Sequence, residues 1–159
     1  MKKVVKFGGS SLANAEQFQK VGDIIRSEES RRYVVPSAPG KRFSADTKVT
    51  DLLYTCYGKA EAGEDFTDVL TEIKGRFYEI IKGLNLDLSL EEEFRQIEAD
   101  FKAHAGNEYA ASRGEFLNGK VMAAYLGYEF IDSATVIRFD KNGNFDADKT
   151  DKLLSKRLQ

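Results

Sequence analysis

The sequence predicts an α/β fold in which a mainly parallel sheet is sandwiched by helices and is incomplete at its C-terminal side. A short strand is predicted at residues 2–7, where Val4, Val5 and Phe7 are β-forming, and it ends at Gly8 and Gly9. A helical pattern then leads to a short apolar run at residues 33–35. The order strand, glycine turn, helix, strand is typical of a βαβ unit, which favours parallel strands and a right-handed crossover. Further amphipathic segments, most of them helical, predict helices packed against the sheet.

The first helix is predicted to begin after Asn14, an N-cap residue followed three positions later by Gln17. Apolar residues then recur at helical spacing: Phe18, Val21, Ile24 and Ile25. Pro36 closes the second strand, and residues 37–48, SAPGKRFSADTK, predict a loop rich in serine, proline, glycine and charge. Loops at the ends of parallel strands often carry binding residues, so this loop is a candidate part of a site.

Three helices are predicted in the middle of the chain. Apolar residues within 52–57 indicate the first, and a regular apolar stripe over 66–84 indicates the second. The third is expected to begin at a capping box, Ser89 with Glu92, and to end at Gly106. Its run of three glutamates lies in the first turn, where negative charge suits the helix dipole, so we interpret the run as a solvated cap.

The last third of the chain predicts one long helix, two strands and a short helix. The long helix runs from about residue 108 to 126, with Gly127 as the residue that ends it. A final helix is expected to be capped by Asp148. The two strands are predicted at residues 128–131 and 136–139. The predicted sheet therefore has about four strands.

Composition and charge exclude several classes of protein. Of the 159 residues, 42% are apolar and 31% are charged, which is typical of a globular protein. The net charge of −2 gives no electrostatic reason to expect a nucleic-acid partner, and no apolar run approaches the ~18 residues that would predict a membrane span. The lone cysteine, Cys56, is expected in the core and fits a reducing, cytoplasmic location. The lone histidine, His104, has no second histidine or cysteine nearby, so no metal site is expected.

The opening motif KFGGSS, residues 6–11, has two interpretations. Glycines let backbone N–H groups approach phosphate oxygens, serine hydroxyls add donors, and Lys6 supplies a compact positive charge. The motif is not a Walker A loop, because its lysine precedes the glycines. Two glycines after a strand are also an ordinary turn, and the motif alone does not decide between a turn and a phosphate site.

Four stretches together resemble the aspartokinases of the amino-acid kinase family. They are VVKFGGSSL at 4–12, VVPSAPG at 34–40, KVTDLL at 48–53 and SRGEFLNGKVMAAYL at 112–126. They occur in that family's order, and FIDSATVI at 130–137 is similar to the strand that follows the S-x-G-E helix. The resemblance runs from residue 2 to about residue 151. The pair K-F-G-G-[ST]-S and S-x-G-E is far more specific than either motif by itself.

The resemblance implies a kinase that transfers a phosphoryl group from ATP, with Mg²⁺, to L-aspartate. The product is 4-phospho-L-aspartate, and the reaction opens lysine, threonine and methionine biosynthesis. Lys6 is implied as the catalytic residue that stabilises charge during transfer. The residues implied to contact the ATP phosphates are Lys6, Gly8, Gly9 and Ser10. The residues implied to bind L-aspartate are Ser37, Thr50 and Glu115, with Glu115 on the α-ammonium group.

The residues themselves leave alternatives open at two of these positions. Glu115 is also compatible with a solvated helix glutamate, although a buried carboxylate beside a ligand ammonium would offset the desolvation of both charges. Thr50 is also compatible with a plain helix N-cap, alone or together with ligand binding.

The sequence also departs from the aspartokinase pattern. Pro36 and Pro39 flank the serine segment, and Lys41 and Arg42 follow it, so this added charge serves either a substrate carboxylate or only the surface. The G-R-G-G-[ST]-D and T-D-x-x-G segments of the family's nucleotide half do not occur, nor do its regulatory ACT domains. We therefore expect residues 1–159 to form the N-terminal, amino-acid-binding portion of the catalytic domain, inactive alone. The resemblance also implies that the full-length protein is a homo-oligomer.

Two other functions stay open on the sequence. The first is a related kinase that acts on glutamate, acetylglutamate or a nucleotide, against which the S-R-G-E helix argues. The second is a ligand-binding or interaction module without catalytic activity.

Overall fold

The computed structural model describes residues 1–159 as two strands and six α-helices. In chain order they are β1 (Lys3–Phe7), α1 (Ala15–Arg26), β2 (Arg31–Pro36), α2 (Val49–Glu61), α3 (Thr67–Gly83), α4 (Glu91–Lys102), α5 (Asn107–Leu126) and α6 (Ala147–Arg157). The chain divides into two compact units, Met1–Tyr128 and Glu129–Gln159. None of the helices combines the length and the hydropathy that a bilayer crossing requires.

The predicted βαβ unit is confirmed. Strands β1 and β2 pair in parallel, with Phe7 opposite Pro36 at their carboxyl ends. Helix α1 connects them and is capped by Asn14, whose side chain accepts a 2.9 Å hydrogen bond from the amide of Gln17. Because the strands are parallel, the loops that follow them leave from the same edge of the sheet. The parallel pairing therefore places residues 8–14 beside residues 37–48.

The core of the first unit lies among its helices. The aromatic ring of Phe101 packs edge-to-face on Tyr57, with the ring centroids 5.3 Å apart. Cys56 is fully buried in the same cluster, as predicted. Fully buried large side chains include Phe18, Leu53, Ile73, Phe77, Phe94, Ile97, Phe101 and Leu117. Since each such side chain contributes about 1.5–3 kcal/mol through its burial, this cluster is the main source of stability for the elements that carry the loops.

Two details of the helix predicted to begin at Ser89 are wrong. The capping box does not form, because α4 begins at Glu91 and the hydroxyl of Ser89 accepts from the amide of Glu91 at 3.3 Å, not from that of Glu92. The helix ends at Lys102, and Gly106 instead lies directly before α5 with φ 108°. Such a φ suits glycine, so Gly106 redirects the chain into the next helix.

The two strands predicted in the last third of the chain are also wrong. Residues 128–131 form no strand, and the 136–139 segment contributes only one isolated antiparallel bridge, between Phe139 and Phe145. That bridge closes a turn in which Gly143 has φ 82°. A run of β-forming residues becomes a strand only when a neighbour completes its hydrogen bonds. The sheet consequently has two strands instead of about four, and Val4 and Val35 remain 68% and 48% exposed.

The long helix and the last helix are both present, with one corrected boundary. Helix α5 ends at Gly127, which has φ 70° as its predicted role requires. Helix α6 is capped by Asp146, whose side chain accepts from the amide of Lys149 at 3.0 Å. Asp148 lies in the first turn of that helix and does not cap it. The two aspartates are only two positions apart, so local sequence alone does not tell which of them caps the helix.

Candidate functional site

A cleft of about 430 Å³ lies where the loops after β1 and β2 meet α2 and α5. Gly9 and Ser10 come from the first loop, and residues 37–41 come from the second. Lys48 and Thr50 border the cleft at the start of α2, and Glu115 borders it from α5. Residues that are more than 100 positions apart in the sequence therefore share one concave surface.

The two strand-end loops are in direct backbone contact. The amide of Ser37 donates to the carbonyl of Phe7 at 3.0 Å, and the amide of Gly40 donates to the carbonyl of Gly9 at 2.8 Å. A Cβ atom on Gly40 would lie 2.6 Å from the carbonyl carbon of Gly9 and 2.7 Å from the amide nitrogen of Ser10. Only glycine permits this approach, so Gly40 sets the distance between the loops.

Helix α5 reaches the cleft through a glycine of its own. A Cβ atom on Gly114 would lie 2.6 Å from the Cβ of Ala38 and 3.8 Å from the hydroxyl oxygen of Thr50. The absent side chain lets α5 pack directly against the second loop and α2. The next residue, Glu115, is thereby placed at the edge of the cleft. This contact gives a physical reason for a glycine directly before the glutamate in the S-R-G-E segment.

Asn118 was not identified from the sequence as part of this region. Its side chain is fully buried, and its amide nitrogen donates to the carbonyl of Ser37 at 2.7 Å. A signal for it does exist, because a residue four positions after Gly114 lies on the same helix face. Asn118 thus holds the loop that carries Ser37, although it does not line the cleft.

The structure brings together five of the residues implied by the resemblance and leaves two apart. Gly9, Ser10, Ser37, Thr50 and Glu115 all line the cleft. Lys6 and Gly8 do not line it, although both are exposed at the adjoining end of β1.

Two of the alternatives drawn from the sequence change with the geometry. Thr50 is not the N-cap of α2, because the helix begins at Val49 after Lys48 and has no side-chain cap. The hydroxyl of Thr50 is therefore not used to cap the helix. Glu115 is exposed, so the argument from a buried carboxylate does not apply to this structure. Its desolvation would come only when a ligand covers it.

The charge of the second loop is divided between the cleft and the helix behind it. Lys41 lines the cleft, as Lys48 does, and neither lysine forms an ion pair. Arg42 instead binds Asp46 and reaches Glu79 on α3. The two positive charges that looked equivalent in the sequence are thus separated. With Glu115 as the one carboxylate of its lining, the cleft suits a ligand that carries anionic groups together with a cationic one.

No group of three or more histidine, cysteine, aspartate or glutamate side chains is placed so that it could hold a metal ion. His104 is exposed after the end of α4 and lies outside the cleft. The cleft therefore offers hydrogen-bond donors, one carboxylate and two lysine ammonium groups, and it does not identify protein ligands for a metal ion.

Comparison with known proteins places the chain in one family. The family described as the amino acid kinase family matches residues 1–158. Aspartokinase 3 of Bacillus subtilis is 38% identical over 141 residues, which cover 84% of this chain and 31% of that protein. The chloroplastic aspartokinase 1 of Arabidopsis thaliana is 32% identical over 136 residues, covering 77% of this chain and 23% of that protein. The chain thus spans about a third or less of these relatives.

Solved structures show the same fold. The aspartate kinase of Clostridium acetobutylicum superposes with a TM-score of 0.93 at 46% identity, over 98% of this chain and 36% of that one. Escherichia coli aspartokinase III, crystallised with aspartate and ADP, superposes with a TM-score of 0.79 at 23% identity, over 99% of this chain and 38% of that one. The fold, the ordered motifs and these matches agree, and the chain belongs to the amino acid kinase family.

Proposed function

We propose that residues 1–159 form the amino-acid-binding side of an aspartokinase catalytic domain. In the proposed reaction, ATP phosphorylates the side-chain carboxylate of L-aspartate, giving 4-phospho-L-aspartate and ADP, the first step towards lysine, threonine and methionine. The observation that carries the proposal is the convergence in one cleft of Ser10, Ser37, Thr50 and Glu115 with two unpaired lysines. The relatives support it, since they are aspartokinases and one was crystallised with aspartate and ADP.

L-Aspartate carries one ammonium and two carboxylates, and the cleft offers partners for both kinds of group. Glu115 receives the α-ammonium, and the hydroxyls of Ser37 and Thr50 donate to carboxylate oxygens. Hydrogen bonds that involve a charged group are about twice as strong as neutral ones. Because Glu115 is exposed without ligand, it attracts the ammonium at little prior cost and loses its water only on binding.

The phosphate end of the reaction is proposed to lie at the loop after β1. A Cβ atom on Gly8 would meet nothing within 4 Å, so the space beside this backbone is open to a phosphate group. Gly9 and Ser10 supply backbone and hydroxyl donors there, and Lys6 stabilises the negative charge of the transferring phosphoryl group. Mg²⁺ is proposed to bind phosphate oxygens of the nucleotide, and we name no ligand for it from this chain.

Calorimetric measurement of L-aspartate binding to this chain tests the proposed amino-acid site. We expect Glu115→Gln and Thr50→Ala each to weaken binding, Glu115→Gln by ~10-fold or more because it removes the charge that receives the ammonium. Thr55→Ala is the matched control, since Thr55 is an exposed threonine of the same helix outside the cleft. N-Acetyl-L-glutamate has no ammonium, so tighter binding of that compound with no effect of Glu115→Gln would favour another substrate of the family.

ATP-dependent formation of aspartyl hydroxamate tests whether residues 1–159 supply only the amino-acid-binding half of the catalytic site. The full-length enzyme should lose activity with Lys6→Ala. It should keep activity with Lys2→Ala, the control, because Lys2 is an exposed lysine of the same segment. Residues 1–159 alone should bind L-aspartate without turnover. Turnover by these residues alone that depends on Lys6 would contradict the proposed half-site. No turnover of L-aspartate by the full-length protein would favour a ligand-binding or interaction module without catalytic activity.

A further inference from the structure

A buried arginine lies behind the cleft loop and plays no part in the roles described so far. Arg76 of α3 has only 2% of its side chain exposed. Its Nη1 donates to the carbonyl of Thr47 and its Nη2 to the carbonyl of Gly40, each at 2.6 Å. One guanidinium therefore bridges two points of the loop that are seven residues apart in sequence.

An ion cluster completes this arrangement. The carboxylate of Asp46, 8% exposed, lies 3.6 Å from Nη1 of Arg76. Arg42 binds the same carboxylate with two side-chain bonds, Nε to Oδ2 at 2.8 Å and Nη2 to Oδ1 at 3.1 Å. The backbone amide of Arg42 adds a third bond to Oδ2 at 2.9 Å. The loop thus closes on itself through Asp46, and Arg76 fastens the closed loop to α3.

The two carbonyls bound by Arg76 have a particular position. Gly40 directly precedes Lys41, and Thr47 directly precedes Lys48. Lys41 and Lys48 are the two unpaired lysines that line the cleft. Fixing the carbonyl of one residue fixes the peptide plane from which the next residue departs. The two hydrogen bonds of the Arg76 guanidinium therefore determine where the side chains of Lys41 and Lys48 leave the loop.

We propose that Arg76 is a positioning residue that holds Lys41 and Lys48 at the spacing needed to receive the anionic groups of the ligand. The identity of that ligand as L-aspartate rests on the function proposed above. The burial of Arg76 favours positioning over stability as its role, because a buried ion pair contributes little to stability compared with apolar residues of the same volume. A guanidinium also suits the task geometrically, since a lysine ammonium cannot span two carbonyls in a fixed plane.

The guanidinium of Arg76 and the two loop carbonyls that it binds, those of Gly40 and Thr47, form a clamp on the loop. Trypsin susceptibility of the loop tests this clamp without any ligand. Trypsin cuts after Lys41, Arg42 and Lys48, and cleavage of a folded protein follows the population of the locally open state. We expect Arg76→Met to raise cleavage at these three sites by ~10-fold or more, because two charge-assisted hydrogen bonds are lost. Arg95→Met, at an exposed arginine of α4, is the matched control. Arg76→Lys should resemble Arg76→Met more than the wild type.

L-Aspartate affinity of the folded protein tests what the clamp is for. Arg76→Met should weaken binding by ~10-fold or more in the wild-type background, yet change it by less than ~2-fold when Lys41 and Lys48 are already alanine, as expected of groups that act through one another. Equal weakening in both backgrounds would overturn the proposal, since Arg76 would then act independently of the lysines. Should Arg76→Met fail to fold, Arg76→Lys carries the same comparison.

The two measurements separate failure of this inference from failure of the proposed function. If the wild type does not bind L-aspartate but the loop becomes selectively susceptible in Arg76→Met, the proposed substrate is wrong and the clamp stands. If cleavage at the loop is unchanged, or rises only as much as cleavage elsewhere in the chain, Arg76 does not position the loop and the inference is wrong.

Discussion

The amide of Gly40 donates a 2.8 Å hydrogen bond to the carbonyl of Gly9, and this bond joins the loops that follow the two strands. The residues are 31 positions apart, and both line the cleft. The parallel pairing of β1 and β2 brings the loops to one edge of the sheet, and the absence of side chains lets the backbones touch. The shape of the cleft therefore depends on two glycines as much as on the polar side chains around it.

Substitution of Gly40 by alanine should be clearly destabilising. The new Cβ would lie within 2.8 Å of three backbone atoms of Gly9 and Ser10, which cannot rotate away as a side chain can. We expect a loss of about 1–3 kcal/mol in the free energy of unfolding, measured by urea denaturation.

Gly75→Ala is the control for that measurement. A Cβ on Gly75, within α3, would meet nothing within 4 Å, so alanine should stabilise the helix by about 0.5–1 kcal/mol. Equal effects at the two glycines would show that Gly40 is not constrained by the neighbouring loop.

Substitution of Asn118 should weaken the contact between α5 and the second loop. Asn118→Ala leaves the carbonyl of Ser37 without its 2.7 Å donor, and a buried polar group that loses its partner costs about 1–3 kcal/mol. Thermal and urea unfolding should both show the loss. The exposed Asn107, at the start of the same helix, is the control, and its alanine variant should unfold within about 0.5 kcal/mol of the wild type. A neutral Asn118→Ala variant would contradict the role given to this side chain.

The stability of the protein should depend on the ionisation of Asp46 at acid pH. The side-chain hydrogen bonds from Arg42 lower the pKa of the Asp46 carboxyl in the folded state and outweigh the opposing effect of burial. A group whose folded pKa is lowered stabilises the protein above its unfolded pKa, about 3.9, and loses that contribution as the pH falls through the folded pKa.

The comparison of wild type with Asp46→Asn isolates this contribution. The difference between their free energies of unfolding should be constant above about pH 5 and should shrink below about pH 4. Urea denaturation at several pH values measures it. A difference that is the same at pH 6 and at the lowest accessible pH would mean that Asp46 is not held in its charged form by Arg42.

The thiol of Cys56 should be unreactive in the folded protein. Burial raises its pKa to about 12, and the side chain is fully buried. At pH 8 only about one thiol in ten thousand would then be ionised, and the thiolate is the nucleophile. Labelling by a disulfide reagent should be slow in buffer and should accelerate in step with unfolding as urea is added.

The same raised pKa has a consequence for stability at alkaline pH. The unfolded thiol ionises above about pH 8.5 while the folded thiol stays neutral, so ionisation favours the unfolded chain and stability should fall as the pH rises further. Native labelling at the rate of a free thiol, independent of urea, would contradict the burial of Cys56.

Local signals in the sequence predicted the elements that depend on local interactions. Asn14 caps α1 through a hydrogen bond to the amide of Gln17, only three residues away, and Gly127 ends α5 because its own backbone takes up positive φ. The strands predicted at 128–131 and 136–139 failed because a strand needs a neighbour, and no local pattern tells whether one lies alongside. The capping box at Ser89 failed by one residue, which is the usual uncertainty of a helix end.

By itself, the sequence determined the parallel βαβ unit, the loops expected at a site and the family to which the chain belongs, because all of these are written in periodicity and in ordered motifs. The tertiary structure alone decided that Arg42 turns to Asp46 while Lys41 lines the cleft, that Asn118 holds Ser37 and that Arg76 is buried behind the loop. Asn118 and Ser37 are 81 positions apart, and Arg76 and Gly40 are 36 apart. Such contacts arise only when packing of the core brings distant elements together, and neither hydrophobic spacing nor capping preference encodes them.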